Sequence, residues 1–418
     1  MVSVFQISLP AMGLLIDTLK HQANHLKTPK FSLSTDTLTC KMPWQVVGHS
    51  PISKKVLVAG KKFTKPVNLL NGSKTTGIKY MKILHVHNQM IRKYGNFNST
   101  YGRKFNNGFI KNNHQVVEFS DRDLARFEAP FHLKPLGKTK LNQRLLETCA
   151  NFKPDALIIG HSNLIELKTL TAIRSLLPNL KIGHWNLDAL WIESNVQRLS
   201  FYSKMVDAIF LTTGGDALET FRKNRATVCY IPNPTDASIE TENNATKNVF
   251  IHDLLYCGVG TAGNYRYDFL KHLHESLGDT IRFKCCGLYG DPPVWGQDYL
   301  ALLKESKMGL NLNSLEDYPL YSSDRIAQLM GNGVLTFVWD KGNMRRLFND
   351  EQVVFFNSIE ELREKITHYH LNDAERQAIA QSGHAFYHQH FSSEIITQYM
   401  IETLFELPLS NDYFWHNI

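Results

Sequence analysis

From residue 82 onward, short apolar runs alternate with stretches of helical spacing. The runs 82–87, 116–119, 156–160, 181–185, 208–212 and 228–231 are short, rich in Ile, Leu and Val, and bounded by polar loops. Helical spacing falls between them, over about 100–112, 141–152 and 165–177. Strands apolar on both faces belong in a sheet covered on both sides, and βα alternation predicts that sheet to be parallel and doubly wound. A second series follows, with runs 254–257, 281–286, 308–312, 334–339 and 353–356 and helices from about 265, over 296–306, and over 373–390 and 392–405. Between the series lies Ile231-Pro232-Asn233-Pro234 and then a polar stretch, 235–248, expected to be a linker. The pattern predicts two α/β domains, 81–234 and 249–390, closed by a helix and tail over 391–418. In such sheets ligands bind beyond the carboxyl ends of the strands.

The stretch 318–356 carries the most chemistry. Ser322, Ser323 and Asp324 supply helix-start residues, Ile326, Leu329 and Met330 recur at helical spacing, and Gly331 and Gly333 end the helix before the strand VLTFVW. A helix opening after a loop presents unpaired N–H groups and its positive dipole end, a place for phosphate. Arg325 stands in the first turn to add charge. Upstream, the run 254–257 is followed by Gly258-Val259-Gly260-Thr261-Ala262-Gly263. Gly-x-Gly-x-x-Gly after a strand suggests a dinucleotide fold, but Phe283-Lys284-Cys285 stands where the acidic partner belongs. Ser358-Ile359-Glu360-Glu361 is a capping box.

The order Arg-x-x-x-x-Met-x-x-Gly from Arg325, then a strand, then a segment ending Leu347-Phe348, resembles the donor half of GT-B glycosyltransferases. More narrowly it is similar to the CgeB-like group of family 1 glycosyltransferases, over roughly the last 165 residues. The resemblance implies two Rossmann-like domains facing a cleft. It implies that Gly258, Gly260, Gly263, Arg266, Ser323, Arg325, Gln328 and Gly333 bind the donor, and that the N-terminal domain supplies any base. Trp185-Asn186-Leu187-Asp188 resembles a strand end of that group, which makes Asp188 the first candidate base and His161, in Gly160-His161-Ser162-Asn163, the second. Each has a plainer use: Asp188 as a helix cap, His161 bonding its own loop, Trp185 in packing, Arg266 at the surface. The chain departs from the pattern at Gln328, where many retaining members carry Glu, and near Met344, where the nearest carboxylate is Asp340.

Residues 1–80 differ from the rest. They hold 11 Lys, no Arg and no Glu and carry +9 of the net +7, leaving −2 for the remainder. The basic excess therefore sits in one segment rather than on a patterned face, which argues against nucleic acid. No positive residue precedes the apolar start, so a secretory signal is not expected. The segment fits a disordered basic leader, a small accessory module, or upstream sequence not normally translated. Met81, directly before the first strand, favours the last. Such a leader would also adhere to anionic membranes. The six cysteines show no ligand spacing and read as reduced thiols of a cytoplasmic protein.

The expected function is transfer of a sugar from a nucleotide sugar to a sugar or lipid-linked acceptor, such as a surface-polysaccharide precursor. No Asp-x-Asp motif ends a strand, so neither metal nor other cofactor is expected. A sugar-nucleotide epimerase and a non-catalytic GT-B binding protein are the alternatives.

Overall fold

The structure, a computed structural model, describes residues 80–315 and 318–418. The expected N-terminal extension therefore lies, Tyr80 apart, outside the described residues. The first sheet contains β1 (Lys82–Val86), β2 (Gln115–Phe119), β3 (Ala156–Gly160), β4 (Lys181–Asn186), β5 (Ala208–Leu211) and β6 (Thr227–Tyr230). Their order is β2-β1-β3-β4-β5-β6, and every neighbouring pair is parallel. The second contains β7 (His252–Cys257), β8 (Phe283–Cys286), β9 (Ser306–Asn311), β10 (Leu335–Trp339) and β11 (Val354–Phe356), in the parallel order β11-β10-β9-β7-β8. Helices cover both faces, which is why a strand such as β3 buries all its side chains. The expected fold class holds in both halves.

The helices are α1 (Tyr101–Lys111), α2 (Asp121–Phe127), α3 (Lys138–Phe152), α4 (Leu167–Leu176), α5 (Glu193–Tyr202), α6 (Glu219–Arg222), α7 (Tyr265–Leu277), α8 (Gln297–Lys304), α9 (Asp324–Gly331), α10 (Ile359–Leu371), α11 (Asp373–His390) and α12 (Ser393–Leu404). Three of these, α2, α5 and α6, have no counterpart in the sequence pattern. They are short, and α5 buries only Asn195, Leu199 and Tyr202, too few apolar residues to show a period.

The segment expected as a linker is packed. Thr235, Asp236, Glu240 and Asn244 are all buried. Its polar side chains bond inward: Glu240 Oε1 lies 2.6 Å from the equally buried Lys104 Nζ on α1, and Asp236 Oδ2 accepts from Ser393 Oγ at 2.6 Å. Polarity here marks internal hydrogen bonding rather than solvation. Backbone bonds also join the halves, among them Ser322 N to Thr212 O at 2.8 Å and Gly214 N to Leu320 O at 3.1 Å. Helix α12 leaves the second sheet and packs on α1. Asn112 Nδ2 donates to Glu394 O at 2.9 Å and to Thr397 Oγ1 at 3.0 Å, and the backbone of Ser393 lies where a side chain on Gly108 would go. No helix among the described residues is long and apolar enough to cross a membrane.

Candidate active site

Both sheets change winding direction at one place. In the first this is between β1 and β3, in the second between β7 and β9. The loops leaving these four strands meet around a cavity of about 590 Å³, lined by His87, Arg122, His161 and Trp185 from one half and Gly258, Tyr299, Asp324, Arg325 and Gln328 from the other. A crevice at the carboxyl ends of parallel strands, at the switch point, is where such sheets bind ligands. The halves are clasped nearby: Gln297 N donates to Asn96 O at 2.8 Å, and Asn96 Nδ2 donates to Asp298 Oδ2 at 3.1 Å.

On the second half, β7 ends at Cys257 and the chain turns through Gly258. A Cβ there would stand 2.6 Å from Tyr256 Oη and 2.8 Å from Arg325 Nη2, so only glycine lets the guanidinium lie along the turn. Arg325 is fixed from three sides. Its Nε donates to Cys257 O at 2.9 Å, its Nη1 donates to Leu312 O at 3.0 Å, and its carbon sits 4.7 Å from the centre of the Tyr256 ring. All three partners are neutral, and no carboxylate pairs with it among the described residues. Arg266, in the first turn of α7, is close by. Burial lowers its pKa and the charge of Arg325 adds to the shift, while its Nε is buried without a partner. Two cations held near each other among neutral groups leave the positive charge for a ligand.

The other expected donor residues divide. Gln328 lines the cavity, but its amide donates to Asp324, whose other oxygen faces Lys104 at 3.5 Å. Ser323 caps α9, its Oγ accepting from Ile326 N at 3.4 Å and donating to Asn311 Oδ1 at 2.8 Å. Gly260 is packed close to Leu288, and Gly263 turns at φ +80° with open space around it. Gly333 does not reach the cavity. It stands past the far end of α9 at φ +67°, against Asn243 and Asn244. Met344 is buried, and Asp340 is held by Arg345 Nε at 2.8 Å.

On the first half, His161 follows β3 in the left-handed region, φ 42°, a strained conformation for a residue with a Cβ. Its Nε2 lies 3.1 Å from Asp188 Oδ2. The same oxygen accepts from Arg198 Nη2 at 3.1 Å, and Arg198 also donates to Asn186 Oδ1 and Asn195 Oδ1, both at 2.9 Å. Asp188 is thus occupied, and His161 rather than Asp188 lines the cavity. With Nε2–H donating to the carboxylate, the lone pair falls on Nδ1, which is buried and has no partner. Burial pulls the imidazole pKa below its ordinary value, only partly offset by Asp188, so the ring is neutral near pH 7. Trp185 is a packing residue at the cavity wall, its Nε1 donating to His85 Nε2 at 3.1 Å. Arg122, absent from the sequence expectations, lines the cavity and donates from Nη2 to His161 O at 3.1 Å. The one signal for it was Ser120-Asp121-Arg122-Asp123, a helix-start cluster directly after β2.

Two doubly wound parallel units around a shared cleft, with the last long helix crossing back to the first unit, define the GT-B class. Within that class, residues 266–402 of the second half match the family described as glycosyl transferase-like. Among solved structures, the sucrose-phosphate synthase of Thermosynechococcus elongatus is similar at 12% identity and TM-score 0.50, covering 78% of this chain and 98% of that one. A glycosyltransferase from Rickettsia africae is similar at 12% identity and TM-score 0.50, covering 80% of this chain and 100% of that one. Anabaena Alr3699/HepE, crystallised with UDP-glucose, has 14% identity and TM-score 0.49, covering 78% of this chain and 100% of that one. No curated protein sequence matches the chain.

Proposed function

We propose that the protein is a glycosyltransferase of the CgeB-like kind, transferring a sugar from a nucleoside diphosphate sugar to an acceptor hydroxyl. One observation carries this: Arg325, with no carboxylate pairing it among the described residues, and His161, neutral and with its buried Nδ1 unpartnered, line one cavity from opposite halves. In the reaction the bond from the anomeric carbon to the diphosphate breaks, and the leaving diphosphate takes the electron pair. Arg325 and Arg266 stabilise that charge, together with N–H groups of the turn from Gly258 through Gly260 to Gly263. The acceptor oxygen bonds the anomeric carbon and gives its proton to the His161 imidazole. Asp188 fixes the tautomer, and Arg198 fixes Asp188. The arginines already supply the positive charge that a metal would bring, which supports a metal-independent transfer. Met90 and Phe97, from the first half, give the acceptor side an apolar wall, in keeping with a lipid-linked acceptor.

The second reading, a non-catalytic binding protein, is favoured by Gln328 being tied to Asp324 and by the burial of Met344. Calorimetry with UDP, GDP and ADP, followed by turnover of the matching nucleotide sugars over an acceptor panel, separates the readings. The proposal requires micromolar diphosphate binding and acceptor-dependent release of the nucleotide. Binding without consumption establishes the second reading. Interconversion of donor sugars without acceptor establishes an epimerase.

A further inference from the structure

Beside the acceptor side of the cavity, two loops of the first half expose large apolar side chains. Tyr94 is 95% exposed and Phe131 is 89% exposed, and Ile91, Phe127, Leu133 and Leu136 are each half exposed or more. Side chains of this size on neighbouring loops mark an interaction surface rather than the scattered apolar residues of an ordinary exterior. The two loops are tied together: Ile91 N donates to Asp123 Oδ2 at 3.1 Å, and Gln89 N donates to Ser120 Oγ at 3.1 Å.

Basic residues interleave with the apolar ones: Arg92, Lys93, Arg122, Arg126 and Lys134. Burial, then the charges of Arg122 and Arg126, with Arg92 adding, pull the Lys134 ammonium below its ordinary range, so these cations stand together. Asp121 offsets part of this charge, and the acids nearby are held by other partners. Asp121 is buried on Ser162 Oγ at 2.6 Å, Asp123 is buried on Ser120 Oγ at 2.6 Å, and Glu128 pairs with Arg144 at 2.9 Å. Arg122 and Arg126 donate instead to backbone carbonyls. The same loops hold Met90, Tyr94, Phe131 and His132 at φ between 51° and 57°, left-handed conformations that non-glycine residues keep mainly where function requires them.

We propose that this face docks on a bilayer of anionic phospholipid, its aromatic and leucine side chains entering the headgroup boundary and its cations meeting the lipid phosphates. Loop tips carrying Tyr, Phe and Leu between Arg and Lys have the composition of an interfacial anchor, and the charge selects anionic lipid. The surface is distinct from the basic segment 1–80, and its binding is measured without donor or acceptor, so it stands or falls apart from the transfer reaction.

The test is co-sedimentation of the full chain with vesicles of phosphatidylcholine alone or with phosphatidylglycerol, at about 0.1 M salt, where the Debye length is about 10 Å. The wild-type chain is expected to bind the mixed vesicles at least fivefold better than neutral ones. Phe131→Ser/Leu133→Ser and Arg126→Glu/Lys134→Glu are each expected to lower the partition coefficient at least fivefold, with melting temperature little changed because Phe131 and Leu133 are exposed and Arg126 and Lys134 are only partly buried. Val249→Ser/Leu371→Ser, exposed in the second half, is expected to bind as wild type. The proposal is overturned if mixed vesicles do not retain the chain preferentially. It is equally overturned if either double variant loses less than fivefold, since binding would then come from residues 1–80 or elsewhere.

Discussion

At Arg325 the guanidinium is aimed by two carbonyls and a tyrosine ring, none of which cancels its charge. Arg325→Ala should weaken nucleoside diphosphate binding by about 1.5–3 kcal/mol, the range for a charged hydrogen bond. Calorimetry on the folded variant checks this, and unchanged affinity would remove the phosphate role. Gly258→Ala should act on the same group, because its methyl would meet Arg325 Nη2. For His161, the proposed reaction gives proton transfer to the ring and orientation to the carboxylate. His161→Gln should cut turnover by roughly 10²–10⁴ while leaving diphosphate affinity intact. Asp188→Asn should cost less in diphosphate binding than in turnover as well, because an amide no longer fixes the tautomer. A base must be unprotonated, and burial lowers the His161 pKa. Activity should therefore rise with pH on the acid side, with a midpoint below 6.5, and stay level through neutrality. A midpoint above that value would mean another group is the base.

Among the elements, α1 and the segment after β6 carry an internal ion pair that holds the halves together. Lys104 and Glu240 are both fully buried, with Nζ 2.6 Å from Oε1, and Lys104 also faces Asp324 on α9. The charges of Glu240 and Asp324 outweigh burial and hold the Lys104 pKa up. Removing one partner leaves a buried charge, so Lys104→Met should cost about 3–5 kcal/mol in urea unfolding, while Lys104→Met/Glu240→Gln should recover much of that loss. A single variant as stable as wild type would show that water reaches the site. At the other end of α1, Gly108 lets α12 lie against it, and Gly108→Val should destabilise the fold by about 1–3 kcal/mol through overpacking.

For the whole molecule, burial of neutral histidines sets the response to acid. His85 and His184 are fully buried, and burial pulls both pKa values down, that of His184 to about 3. The unfolded chain binds protons at these sites below about pH 6.5 while the folded chain does not. Stability is therefore complete above that pH and is lost as pH falls below it, by up to about 1.4 kcal/mol per pH unit for each such histidine. Urea unfolding at pH 7.5 and 5.5 measures the slope. His184→Phe, which keeps a ring stacked on Tyr202, should flatten it by about one proton. An unchanged slope would mean His184 charges within the fold.

Much of this architecture was legible in the chain. The strands were legible because each is an unbroken apolar run such as Ala156–Gly160, a pattern that burial on both faces requires. Helix α9 was legible through the Ser323 cap and its apolar spacing, and Arg325 through its place in the first turn. Those signals are local, and they determined the fold class and the position of the Arg325 cation. What tertiary structure alone decided is non-local. Gln328 met Asp324, Asp188 was taken by Arg198, and the polar stretch after β6 turned inward onto Lys104. The free lone pair of His161 depends on Asp188, 27 positions away in the chain, and on a loop strained into the left-handed region. A hydrogen bond between distant loops leaves no period or spacing in the sequence, so only the packed molecule shows which polar side chains are satisfied and which remain free for a ligand.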